Sequence, residues 1–153
     1  YKPRDILQFL KYCQNAYPDN SRLSLSETQT VLKEYSNQYF IEEMKNELAG
    51  FVEDEIIVSI PSIFRRLGGR KFDLSEFNKL SSEQCPGKEI TIDDTKMLMM
   101  YLFEAGYIGQ LVSSGKDKKK SVIFKYRNST ARIDYYQHFI THQGLHKGLG
   151  VRL

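Results

Sequence analysis

Phe103-Glu104-Ala105-Gly106-Tyr107-Ile108-Gly109 is the stretch on which the fold turns. Upstream of it, Thr91 is placed to cap a helix whose first turn holds Asp93 and Asp94. Carboxylates are favoured there by the positive end of the helix dipole. Met97, Leu98, Tyr101 and Leu102 recur at helical spacing and predict the buried face of that helix. Gly106 or Gly109 ends it. Downstream, Ile108, Leu111 and Val112 form one arm of a hairpin, and Val122, Ile123, Phe124 and Tyr126 form the other. The loop between them, Ser113 to Ser121, is rich in Gly, Ser and Lys.

Working backwards, Ile56, Ile57, Ile60, Ile63, Phe64 and Leu67 predict an amphipathic helix. Pro61 lies inside it and predicts a kink or a broken first turn. Gly68-Gly69 ends that helix, Lys71 to Leu74 reads as a short extended segment, and Ser75 caps a short helix through Phe77 and Leu80. Cys85-Pro86-Gly87-Lys88 is a turn. Helix, short strand, helix, helix, two-strand hairpin is the order of a winged helix-turn-helix. The fold class expected is therefore mainly α with a small β-hairpin (α+β).

Residues 1–50 read as a separate helical segment ahead of a winged-helix domain over 51–153. Pro3 opens a first helix carrying Ile6, Leu7, Phe9, Leu10 and Cys13, and Tyr17 to Asn20 is a turn. Ser24 or Ser26 caps a second helix with Glu27 in its first turn and Val31, Leu32 and Tyr35 along it. Tyr39, Phe40, Met44 and Leu48 continue a helical stripe to Gly50. At the other end, Phe139, Ile140, Leu145 and Leu149 predict a short closing helix or turn around His142 to Leu149.

The 153 residues are 41% hydrophobic and 27% charged, an ordinary globular composition that excludes low-complexity disorder. No apolar run approaches the ~20 residues of a membrane span, so no membrane partner is expected. Cys13 and Cys85 fit a reducing compartment, and a cytoplasmic setting is expected. The net charge of +3 conceals a gradient. Residues 1–60 carry six Lys/Arg against ten Asp/Glu, residues 61–110 carry seven of each, and residues 111–153 carry nine against two. An acidic start and a basic end imply different partners.

Two ends of the chain carry a resemblance. The opening run Pro3-Arg4-Asp5-Ile6-Leu7-Gln8-Phe9 and the helix from Glu34 to Glu43, with Tyr35, Ser36, Tyr39 and Phe40, resemble the helical lid of bacterial P-loop ATPases. These are AAA-like or STAND-like proteins, including the FunZ-type group. Phe124-Lys125-Tyr126-Arg127 and the closing run His142 to Leu149 resemble the winged-helix domain of the same family. The resemblance implies a C-terminal regulatory region that couples nucleotide state to a partner. No Gly-x-x-x-x-Gly-Lys-Ser/Thr loop occurs, and Gly68-Gly69-Arg70-Lys71 lacks its spacing and hydroxyl. The chain opens on Tyr1, and it is expected to be a piece of a longer polypeptide whose ATPase domain, with ATP and magnesium, lies upstream. The resemblance makes Arg4 a nucleotide-sensing candidate, because a guanidinium forks onto phosphate oxygens.

The remaining candidates come from the residues themselves. Lys116, Lys118, Lys119, Lys120, Lys125 and Arg127 cluster on the hairpin and suit an acidic partner or nucleic-acid phosphates. Against base reading, the helix before the wing begins with Asp93 and Asp94, and side chains that read base edges are scarce on it. Contact with the upstream ATPase domain, another protein or a second copy therefore stands ahead, and non-specific nucleic-acid binding is the alternative. His138, His142 and His146 are four apart and would share one face of a continuous helix, but Gly144 interrupts it, so packing and capping stand ahead of a metal. Cys13 lies on an apolar stripe and Cys85 in a turn with no histidine nearby in sequence, so no catalytic constellation is expected from these residues.

Overall fold

The computed structural model describes residues 3–114 and 119–151. Helix α1 covers Pro3–Ala16 and α2 covers Leu25–Tyr35. Ser24 caps α2 with a reciprocal capping box, its hydroxyl accepting from the Glu27 N–H while the Glu27 carboxylate accepts from the Ser24 N–H. The chain then widens into a π-helical turn, Ser36–Phe40, before resuming as α3, Ile41–Leu48. A one-turn π bulge rotates the downstream face by part of a turn. Tyr35 and Phe40, five apart, are both buried as a result. The sequence stripe reads as continuous helix across this point; the wider turn is a departure from it.

Helix α4 spans Asp54–Leu67 and continues through Pro61. Helix α5 covers Leu74–Gln84, capped by the side chain of Asp73 rather than by Ser75. Helix α6 covers Ile92–Ala105, with Thr91 and Asp94 forming its capping box. It stops at Gly106, which sits at φ 85°, in the left-handed region that glycine enters without strain.

The sheet has three antiparallel strands rather than two: β1 (Ile108–Ser114), β2 (Lys119–Ile123) and β3 (His138–Thr141), in the order β2-β1-β3. The Leu111↔Val122 pairing joins the expected hairpin, but the strands reach into the expected loop, to Ser114 and from Lys119, and β2 ends at Ile123, leaving Phe124 and Tyr126 outside it; Gln110↔Phe139 adds β3 on the other side. Strand β3 alternates between exposed and buried positions, with Phe139 and Thr141 turned inward. Phe72 bridges to Phe139 from the far side, so the short extended segment joins the sheet through β3. Buried Gln110 ties down the connection from β2 to β3: its amide donates to the Arg132 carbonyl and accepts from the Asp134 N–H.

Helix α7, Gln143–Leu149, closes the fold. One apolar cluster runs from Tyr35 and Met44 through Ile60, Phe64 and Phe77 to Leu102, Phe139 and Leu149. It takes side chains from both sides of residue 50. Among the described residues, no helix is long and apolar enough to cross a membrane.

Candidate interaction surfaces

Residues 1–50 meet the rest of the chain through two polar contacts that no local sequence signal announces. The first is a clasp. Ser36, on the π-helical turn, donates its hydroxyl to the Gly144 carbonyl at 2.5 Å and accepts the Gly148 N–H at 2.9 Å. Gly148 is required there, since a Cβ would lie 2.6 Å from Ser36 Oγ. The second is a small cavity of about 20 Å³, lined among others by Asp5, Phe40, Glu43, Tyr107, Tyr126 and His142. Its size matches about one water molecule.

His142 organises that second contact. Its Nδ1 accepts the Gly144 N–H at 3.0 Å, capping α7. In the neutral ring the proton therefore sits on Nε2, which lies 3.2 Å from the Tyr126 hydroxyl. Phe40 stacks on the imidazole at 5.2 Å between centroids. Beside it, Tyr107 is buried, and its phenol is pushed far above the usual range. Burial is the main cause, followed by the charge of Glu47 and a hydrogen bond to it.

Arg4 lies on the outer rim of the same junction. Its Nη2 is 2.6 Å from Glu43 Oε1 and 3.5 Å from Glu47 Oε1, and its Nε is 4.0 Å from Asp5. The side chain is half exposed. The sequence suggests a pairing with Asp5 next to it; the stronger partner, Glu43, comes from α3. The rest of α1 divides sharply. Asp5 is buried and Phe9 packs against Tyr35, whereas Ile6 (51%), Leu7 (68%) and Leu10 (55%) face solvent.

The hairpin cations do not act as one set. Lys116 and Lys118 lie outside the described residues. Lys119 and Lys120 occupy β2 opposite Ser114 and Ser113. Lys125 Nζ is 3.0 Å from Glu104 and donates to the Ala131 carbonyl at 2.9 Å, so it fastens the strand end to α6. Arg127 is exposed, with its guanidinium 5.9 Å from the Tyr126 ring centre.

The outward side of α6 is the third surface. Met97 (48%) and Phe51 (65%) are exposed, and Phe51 packs on Tyr101 at 5.4 Å. Met97 and Tyr101 are one turn apart and share a face. Asp93 and Glu104 stand on the same side, one turn before Met97 and almost one turn after Tyr101. Glu53 and Asp54 follow Phe51 after Val52, and Glu53 pairs with Lys88 near Glu55 and Asp94.

The three histidines are dispersed: His138 is exposed on β3, His142 caps α7, and His146 is buried within α7. Gly144 does not interrupt the helix as expected: it lies in the first turn of α7, and the break falls before it, where β3 ends at Thr141 and His142 caps the helix. His146 Nε2 lies 2.8 Å from the Thr141 hydroxyl, and burial lowers its pKa. Among the described residues, no group of three or more metal-ligating side chains forms. No known protein family, curated protein or solved structure matches the chain. The ATPase resemblance therefore rests on residue motifs alone.

Proposed function

We propose that the chain is the C-terminal regulatory and interaction region of a P-loop ATPase, coupling nucleotide state to a partner through a winged-helix unit. The observation that supports this best is the division of α1. Its inner face packs on Tyr35 of α2 and pairs with Glu43 of α3, while Ile6, Leu7 and Leu10 leave an apolar face exposed on the same helix. Three large apolar side chains on one helix face form the kind of patch that marks a contact surface. The occupant proposed is the ATPase domain of the same polypeptide. Arg4 then acts by exchange: an arriving phosphate draws the guanidinium away from Glu43, and α3 and the Tyr107–His142 junction feel the loss of that ion pair.

The polypeptide upstream of Tyr1 tests the parentage directly. A P-loop there supports it, and its absence overturns it. In the full-length protein, Arg4→Ala is expected to alter ATP turnover or affinity; unchanged values remove the sensing role. Leu7→Asp with Leu10→Asp is expected to uncouple the two domains while leaving this region folded.

Non-specific nucleic-acid binding is the second reading, favoured by Lys119 and Lys120 on β2 and, in sequence, by Lys116 and Lys118 just before them. A mobility-shift assay over a salt series separates the two. The nucleic-acid reading expects a log-log slope of roughly −0.9 per phosphate contacted, and no shift at low salt ends it.

A further inference from the structure

The outward face of α6 occupies the position from which a winged helix would enter a DNA groove, yet its chemistry opposes phosphate. Asp93 leads the face with its side chain 84% exposed, and Glu104 closes it. Between them Met97 and the Phe51–Tyr101 pair form an apolar centre. Lys96, Lys88 and Lys125 neutralise Asp93, Glu53 and Glu104 respectively. Asp54 and Glu55 remain exposed at the start of α4, so the rim keeps an acidic excess.

We propose that this face is a docking surface for a basic amphipathic helix of a protein partner. Two features select that occupant. The first is charge: an acidic rim around a desolvatable centre attracts cations at the edge and an apolar anchor in the middle. The second is spacing. Asp93, Met97, Tyr101 and Glu104 follow steps of four, four and three residues, the row that a second helix packs against. A flexible thioether beside two aromatic rings also adapts readily to the partner's side chains. The assignment rests on the reading of the chain as a protein-contact region, but it uses a different surface from α1.

The test uses the whole chain, labelled with ¹⁵N, and a synthetic helical peptide of about 14 residues, ~21 Å long like α6 itself. The peptide carries leucine at the i, i+3, i+4 and i+7 positions and lysine elsewhere; a control replaces lysine with glutamate. Saturable shifts centred on Phe51, Met97 and Tyr101, weakened about tenfold by Met97→Asp and by Phe51→Asp, are the expected result, since exposed central anchors carry most of such binding. The acidic control is expected not to bind. Both substituted side chains are exposed, so the variants retain the fold. Any of these results overturns the proposal: no shifts, shifts centred on α1 or the hairpin, binding unaffected by both substitutions, or duplex DNA producing the same shifts. A dimer that Met97→Asp dissociates also overturns it, by assigning the face to a second copy. Leu7→Asp with Leu10→Asp is expected to leave peptide binding unchanged, so failure at α1 and failure at α6 are distinguishable.

Discussion

At the seam between α7 and the π-helical turn, polar groups satisfy one another inside the molecule: Ser36 bonds both Gly144 and Gly148, and His142 caps α7 while reaching Tyr126. On the outward faces of α1 and α6 the arrangement is reversed, with leucine, methionine and phenylalanine in solvent. A seam of small residues and matched hydrogen bonds holds two segments in one geometry, because a Cβ or a missing hydroxyl has nowhere to go. Exposed apolar side chains do nothing for the isolated fold. The difference separates what keeps the chain together from what it offers to others, and substitutions in the two regions should therefore read out differently.

The largest effect is expected from Phe40→Ala. This buried ring contacts Tyr35, Tyr107 and His142, and its loss should cost about 3–5 kcal/mol in a denaturant titration. Next comes Gly148→Val. Its Cβ falls 2.6 Å from Ser36 Oγ and 2.9 Å from Asn37 Oδ1, and about 1–3 kcal/mol of overpacking is expected in the same measurement. Ser36→Ala should relieve that clash in the double variant, making the two costs non-additive.

Acid should act on the seam as well. Burial lowers the folded-state pKa of His146 below its unfolded value, so the unfolded chain binds the extra proton first as pH drops. The stabilising contribution is complete above about pH 6.5 and is lost as pH falls below it, with a limiting slope of about 1.4 kcal/mol per pH unit for one proton. His146→Leu is expected to flatten this part of the stability profile; an unchanged slope would assign the proton elsewhere. The smallest effect is expected from Met97→Asp, within about 0.5 kcal/mol in thermal melts, because the side chain is already half in water. A large loss there would erase the distinction between seam and face.

Much of the architecture was legible locally. Capping at Ser24 and Thr91, the stop at Gly106 and the hairpin all follow from residues within a few positions of one another. The third strand was harder. Phe139 and Ile140 are apolar neighbours, and only pairing with β1 on one side and Phe72 on the other makes them extended. Of the candidate sites, the charge of the hairpin was readable, but the diversion of Lys125 to Glu104 was not, since the two are 21 positions apart. Arg4 was readable as a cation near Asp5, and its closer partner Glu43 was not. The polar junction left no trace in the sequence, because Asp5, Glu43, Tyr107, Tyr126 and His142 come from five separate stretches.

The sequence by itself determined most of the helices, several of their caps and stops, the existence of the hairpin and the acidic-to-basic gradient, all of which depend on side-chain period, caps and composition over short distances. Only the tertiary structure decided which charges pair, that Ser36 clasps two glycines more than a hundred residues away, and which apolar faces stay in water. Those outcomes depend on distances across the folded chain, and hydrophobic periodicity marks a face as apolar without saying whether anything covers it.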